Sequence, residues 1–481
     1  MVVKYSGGEN MEANKQLKGK RKFGYCSGII TESIVYNVFY VHYLFFLTDV
    51  AHLDPAFAGT ISLISVFWDA VTDPVIGFFA DKPGADKRKF MARAIFPLAI
   101  TFLGIFVPLG ETSSLVKFIF YTVMTMLFWM AYTVYTIPYY AVVADLTEDY
   151  NERTSIRGLS SLINTFPIAA GAIAPAVLPE LFMGMGLSVA AGWELMAVIV
   201  GVISLAFGLI AVKSLRGFNT KARALKETEQ GKWNDIFITF GQVIRLKPFL
   251  TFMIFIFFFL MASSMIQSNL MYTIDYCLKG SHDVLEPIFI GGLVLTMAVV
   301  IPIVTRLAEK LDRKTTCLIF FAISFAGLIV IKIIGLKSVP VFVCQPIVLG
   351  FSSGAFWTLF YTMAYDLVEV DEFKHGERRE SVITGLPQFF QKFGSAVGMW
   401  TIGLILKFTG YNDQLAEQNP ATVKAIENMS SIIPAILLGI SMLALALYPV
   451  TRKRMSILQG EIEKMRKGEK TSTEGIEKIA G

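Results

Sequence analysis

The sequence predicts an all-α polytopic membrane protein with twelve transmembrane helices in two pseudo-symmetric six-helix bundles. Three observations predict it: long apolar blocks, an uneven placement of basic residues, and a charged motif that recurs six spans later. Of 481 residues, 54% are hydrophobic and 17% charged, and 40 are Phe. A water-soluble chain of this length does not gather its apolar residues into such blocks.

A helix needs about 20 residues to cross ~30 Å of hydrocarbon. Apolar stretches of that order lie at 24–48, 57–80, 90–109, 114–144, 157–178, 187–213, 248–275, 285–305, 315–334, 338–368, 381–409 and 425–450. Lipid offers the backbone no hydrogen-bond partners, so each must be helical.

Basic residues crowd the first tail (Lys15, Lys18, Lys20, Arg21, Lys22), the loop after the second span (Lys82, Lys87, Arg88, Lys89), the central loop (Arg216, Lys221, Arg223, Lys226, Lys232) and the last tail (Arg452, Lys453, Arg454). The positive-inside bias places both termini in the cytoplasm and the protein in the cell (inner or plasma) membrane. Residues 1–22 lead into a full-length span without a small-residue cleavage pattern, so that span is expected to be its own targeting signal.

The charged motif sets the architecture. "ADLTEDYNERTS" (Ala144 to Ser155) follows the fourth span and "YDLVEVDEFKHGERRES" (Tyr365 to Ser381) the tenth; "GFFADKPGADKRK" after the second span has a weaker echo, "TRLAEKLDRK", after the eighth. Repeats at one offset imply two parallel halves with a cavity between them, the plan of a two-bundle transporter. The boundaries read as a cytoplasmic tail 1–23, a first bundle 24–213, a central loop 214–247, a second bundle 248–450 and a cytoplasmic tail 451–481. Trp233, Ile236, Phe237, Phe240, Val243 and Ile244 predict an interfacial helix in the central loop, and Ile457, Leu458, Ile462 and Met465 a short surface helix or a disordered segment in the tail.

Cys26, Cys277, Cys317 and Cys344 have neither disulfide nor metal spacing and read as apolar fillers. A net charge of +5 fits basic cytoplasmic loops and points to no nucleic acid. No nucleophile–base pair, metal-ligand cluster or phosphate loop is visible, so an enzyme is not expected, nor any cofactor.

The second span holds the costliest residues. Asp69 lies near its middle and Asp73 one turn further on the same face. A carboxylate at that depth costs on the order of 3 kcal/mol. Either the pair salt-bridges a lysine and only holds helices together, or it takes a cation, Na⁺ or H⁺, among oxygen ligands.

The segment "WDAVTDPVIGFFAD" (Trp68 to Asp81) resembles the Trp-Asp-Ala-x-Asn-Asp-Pro motif of the glycoside–pentoside–hexuronide:cation symporters, the melibiose-permease-like family within the major facilitator superfamily. "LFFLTDV", "YTIPYYAVVADLTEDYNERTS", "FWTLFYTMAYDLVEVDEFKHGERRES" and "QKFGSAVG" match along both halves in order. The resemblance implies the major facilitator fold and uptake of a sugar or glycoside coupled to Na⁺ or H⁺ by alternating access. It puts Asp69 and Asp73 on the family's cation carboxylates and Thr133 on an accompanying hydroxyl. Thr72 stands where the family has Asn, which leaves Na⁺ against H⁺ open. Lys392 matches an eleventh-helix lysine and is expected to hold the two carboxylates while the cation is absent; the bland alternative is a plain interhelical salt bridge. Trp357 matches a tenth-helix tryptophan, a stacking surface for a sugar or else packing.

The departures bear on substrate. Galactoside-transporting members carry an aspartate on the first and fourth helices, where this chain has Ser33, beside Glu32, and Thr136; Tyr140 replaces a tryptophan. A melibiose-type galactosyl clamp is therefore absent, and a pentoside, β-glycoside or hexuronide is expected, with Glu32 or Ser33 in the aspartate's place. Asp145, Arg153, Asp366, Glu369 and Arg378 are expected either to form a gating network where the halves meet on the cytoplasmic side or to be solvated loop charges. The expected partners are the sugar, a monovalent cation and the bilayer, with the monomer as functional unit. A carrier of lysolipids or other amphiphiles and a transporter-like sensor are the alternatives.

Overall fold

The computed structural model describes residues 17–81, 85–146, 150–218, 220, 246–375, 380–415, 417–466 and 469–480. The predicted interfacial helix of the central loop lies outside them. Twelve long helical segments follow the sequence: α1 (Gly19–Val50), α2 (Pro55–Asp81), α3 (Lys87–Ile105), α4 (Ser114–Leu146), α5 (Tyr150–Gly184), α6 (Val189–Ser214), α7 (Lys247–Ser268), α8 (His282–Lys310), α9 (Arg313–Ile334), α10 (Val339–His375), α11 (Glu380–Phe408) and α12 (Pro420–Leu447). Two short helices, α13 (Arg452–Arg466) and α14 (Glu477–Ala480), close the chain.

Eleven of these helices are long and apolar enough to cross a membrane. α3 falls short because Lys87, Arg88, Lys89 and Arg93 fill its first two turns. Asp86 caps it, accepting from the Arg88 amide at 3.1 Å, and also accepts from the Thr220 hydroxyl at 2.6 Å. Large apolar side chains stand exposed around the outside, Leu295 (70%) and Ile333 (78%) among them, as suits a surface solvated by lipid rather than water.

The repeat seen in the charged loops recurs in the packing. In the first half α1 packs on α5 and α6, α2 on α4, α3 on α4 and α6, and α5 on α6; adding six to each number gives the contacts of the second half, α7 on α11 and α12, α8 on α10, α9 on α10 and α12, and α11 on α12. Across the boundary α2 meets α11 and α5 meets α8, pairs that exchange under the same operation, while α1 meets its own counterpart α7.

One core cluster joins the halves. Phe39, Tyr43 and Phe46 of α1 pack with Met265 and Tyr272 near the end of α7 and with Met399 and Ile402 of α11. These residues lie toward the face distal to the chain termini. Hydrogen bonds reinforce that closure: the Thr48 hydroxyl meets Tyr272 Oη at 2.5 Å, Tyr411 donates to Asp49, and Lys407 Nζ lies 3.1 Å from Asp54. Among the described residues, the hydrogen bonds crossing between the halves lie at Lys392 or on the distal side of it.

The tail forms α13, whose Met455, Leu458 and Ile462 are buried, and it packs on α10.

Candidate functional site

α2 and α11 run antiparallel and touch through glycines near the distal face. A Cβ at Gly59 would stand 2.9 Å from Trp400 Cα, and one at Gly403 2.2 Å from the Pro55 carbonyl oxygen, closer than a side chain fits. About 15 Å further along α2, at 1.5 Å per residue, comes Asp69. There the two helices are joined by charge instead.

Lys392 Nζ of α11 donates to Asp69 Oδ2 at 2.5 Å and to Asp73 Oδ2 at 2.9 Å. On α4, the Thr133 hydroxyl lies 2.8 Å from Asp73 Oδ1 and 3.1 Å from Asp69 Oδ1. It has one proton and serves one carboxylate at a time. The Asp69 side chain is 3% exposed, Lys392 22% and Asp73 35%, so the cluster is sealed at Asp69 and open at Asp73. Two carboxylates against one ammonium leave one net negative charge. Such a site attracts one further monovalent cation and offers it hard oxygen ligands.

Asp69, Asp73, Thr133 and Lys392, expected together, are thus together. Thr72 is not part of that group in its described hydrogen bonds: its hydroxyl donates to the Asp69 main-chain carbonyl at 3.3 Å, as helical threonines do when no better acceptor faces them.

A second polar cluster spans α1 and α4. Tyr140 donates to Glu32 Oε1 at 2.5 Å, and Tyr132 donates to Glu32 Oε2. The Ser33 hydroxyl accepts from Asn37 on its own helix at 3.4 Å, so Glu32 is the residue that faces α4. Thr136 donates to the Tyr132 carbonyl at 3.0 Å. Tyr36, its ring tilted against that of Tyr40 (centroids 4.4 Å apart), lies within electrostatic reach of Glu32, Asp69 and Lys392 and so stands between the two clusters. Tyr132 and Tyr36 escaped the sequence reading. The signal for Tyr132 was its place in the series Tyr132, Thr136, Tyr140, four apart on one helical face. Trp357 is 38% exposed and its ring contacts are with Phe356 and Phe360, its neighbours on α10.

The expected gating network takes a different form where it is described. Asp366 is bound by Arg313 Nη1 at 2.6 Å, and Glu369 accepts from Gln459 of α13 at 2.9 Å. Both contacts stay inside the second half, where α9 and α13 each pack on α10. The side chains of Asp145, Arg153 and Arg378 lie outside the described residues.

Residues 24–452 match the family described as MFS/sugar transport protein. The chain belongs to that family. It is therefore a multi-pass membrane transporter and not an enzyme, and its relatives are symporters. The isoprimeverose transporter of Lactiplantibacillus pentosus is 26% identical over 90% of this chain and 88% of its own length. The glucuronide carrier protein homolog of Escherichia coli is 24% identical over 94% of this chain and 97% of its own. A bacterial homolog of the human lysosomal transporter Spinster, solved in an inward-facing, unoccupied conformation, superposes with a TM-score of 0.64 at 14% identity, covering 92% of this chain and 97% of that one; at that identity the likeness concerns the fold alone. Family membership bears out the all-α major facilitator architecture expected from the sequence.

Proposed function

We propose that this MFS/sugar transport protein takes up a sugar or glycoside together with one Na⁺ or H⁺, and that Lys392 is the element that couples the two. The observation carrying this reading is the bridge from Lys392 to both Asp69 and Asp73 across the boundary between the halves. A cation entering beside the more open Asp73 competes with the ammonium for the same oxygens. Displacing Lys392 changes the contact between α2 and α11, and hence the balance between the two orientations of the halves. The cation is cargo, and no resident cofactor is invoked. With the termini in the cytoplasm, the closed distal face is the extracellular one.

Glu32 is the sugar-hydroxyl acceptor in this reading, oriented by Tyr132 and Tyr140, with Tyr36 supplying an aromatic face. Thr136, Ser33 and Trp357 contribute to the same cavity, and the working unit is the monomer. A single carboxylate there, together with a Lys392 freed by the cation, suits a pentoside, β-glycoside or hexuronide better than a galactoside held by two aspartates. The relative named as a glucuronide carrier supports the hexuronide.

The test is uptake of a panel of labelled pentosides, β-glycosides, hexuronides and melibiose into proteoliposomes under an imposed Na⁺ or H⁺ gradient. One sugar class following one gradient supports the reading. Melibiose moving as fast as every uronide and pentoside overturns the substrate assignment, and uptake indifferent to both gradients overturns the coupling.

A further inference from the structure

A second pair of ionisable residues joins the halves, well away from Asp69 and Asp73. Glu286 of α8 is fully buried, and its Oε1 lies 2.9 Å from Nε2 of His42 on α1, also fully buried. His42 Nε2 is 2.7 Å from the Ala172 carbonyl of α5, which takes its N–H. Neither oxygen of Glu286 has a hydrogen-bond partner among the described residues, and neither has His42 Nδ1. Trp193 of α6 covers the imidazole with ring centroids 6.4 Å apart.

A carboxylate shut away from water and given no donor cannot stay charged alone. Neutral imidazole beside ionised Glu286 leaves one uncompensated negative charge; one added proton, on either residue, removes it. The nearby imidazole of His282 feels Glu286, but it also feels Asp275 and Glu180, so one imidazolium there does not balance all three carboxylates. His282 at the start of α8 is bonded to Asp275 at 2.6 Å, and Glu180 on α5 adds a further negative charge nearby. Asp49, two turns beyond His42 on α1, is engaged by Tyr411.

We propose that His42 and Glu286 form a proton-binding site that fills when the distal face closes and empties when it opens. His42 belongs to one half and Glu286 to the other, so opening separates them and hydrates both. In water at a pH above the ordinary imidazole value of about 6.5, the histidine is neutral and the carboxylate ionised. Closure then takes one proton from solvent, and opening returns it. Rising pH therefore favours the open distal face, by at most about tenfold per unit for a one-proton step. The site is distinct from the cation carboxylates and rests on the alternating exposure proposed above.

The test uses Met271→Cys, buried in the core that joins the halves, in a full-length chain whose four native cysteines are replaced by serine. Its labelling by a membrane-impermeant maleimide is measured from pH 6 to 9, each rate normalised to that of the denatured chain. The rate should rise with pH, by up to about tenfold per unit. Glu286→Gln, neutral at every pH, should label slowly with no pH dependence. His42→Gln leaves Glu286 without its partner and should label faster than the parent at pH 7. A purely structural contact predicts instead that both variants shift labelling the same way. That result overturns the proposal. So does pH dependence that survives in Glu286→Gln, which would belong to His282, and so does a flat rate in the parent, which needs no variant to interpret. Sugar uptake through Asp73 is read separately, so the two readings fail independently.

Discussion

Lys392 on α11 holds Asp69 on α2 at 2.5 Å, where the carboxylate is almost wholly buried. Asp73, one turn away and bound by the same ammonium, keeps about a third of its surface open, 35%. The pair is therefore asymmetric: Asp69 is the buried end of the bridge and Asp73 the open end, the side by which the proposed cation would arrive. Breaking a buried ion pair by removing one partner costs about 3–5 kcal/mol, because the other charge is left uncompensated.

Removing the ammonium should make stability depend on the cation. Lys392→Met leaves two carboxylates sharing one site, so its unfolding temperature should fall below wild type without the coupling ion and recover by more than wild type does when the ion is added. Thermal unfolding across an ion titration reads this directly. An equal ion response in the two proteins would show that Lys392 and the cation do not share oxygens.

Glu32 and Ser33 make opposite predictions. A hydrogen bond to a charged group is worth about 1.5–3 kcal/mol. Glu32→Gln should therefore weaken sugar binding by about 10- to 100-fold, measured as Kd by calorimetry. Ser33→Ala, whose hydroxyl serves Asn37, should change it by less than about threefold.

The glycine contact between α2 and α11 should be intolerant of side chains. Gly403→Val drives its Cβ into the Pro55 carbonyl, and overpacking of this kind costs about 1–3 kcal/mol. Because the clash is on the distal side, accessibility should rise there while the Asp69–Lys392 bridge persists. Maleimide labelling at distal positions, compared with labelling near α13, distinguishes this from general unfolding.

Arg313→Ala should do little to coupling. Its bond to Asp366 lies within one half, and the arginine is 44% exposed, so the pair contributes about 0–1 kcal/mol. Accumulation should stay within about twofold of wild type; loss of gradient dependence would restore Asp366 to a gate between the halves.

His282 supplies a pH dependence of stability with a definite sign. Burial pulls its pKa down, but the hydrogen bond and charge of Asp275 outweigh burial and raise it above the ordinary histidine value. A raised folded-state pKa stabilises fully below the unfolded value of about 6.5 and ceases to do so as pH rises through the folded value. The unfolding temperature should fall more steeply above pH 6.5 in wild type than in Asp275→Asn.

Much of this was legible in the sequence, for a physical reason. A charge inside an apolar run is so costly that Asp69, Asp73 and Lys392 announced themselves as partners before any contact was known. The helices were legible because lipid permits little else. Partners that depend on which face of a helix meets which neighbour were not. Asp366 turned to Arg313 rather than to the other half, Thr72 turned to its own backbone, and Tyr132 was hidden among aromatics that looked like packing. Glu286, at the head of α8, carried no signal in the sequence that α1 and α5 would bury it.

The most direct test of the central claim is the reciprocity of binding. If cation and sugar meet through Lys392, the factor by which saturating cation tightens sugar binding must equal the factor by which saturating sugar tightens cation binding. Calorimetric titrations of purified wild type should give one common factor above about fivefold, and Asp73→Asn should reduce both to unity. A common factor that survives intact in Asp73→Asn would contradict the account and place the coupling elsewhere.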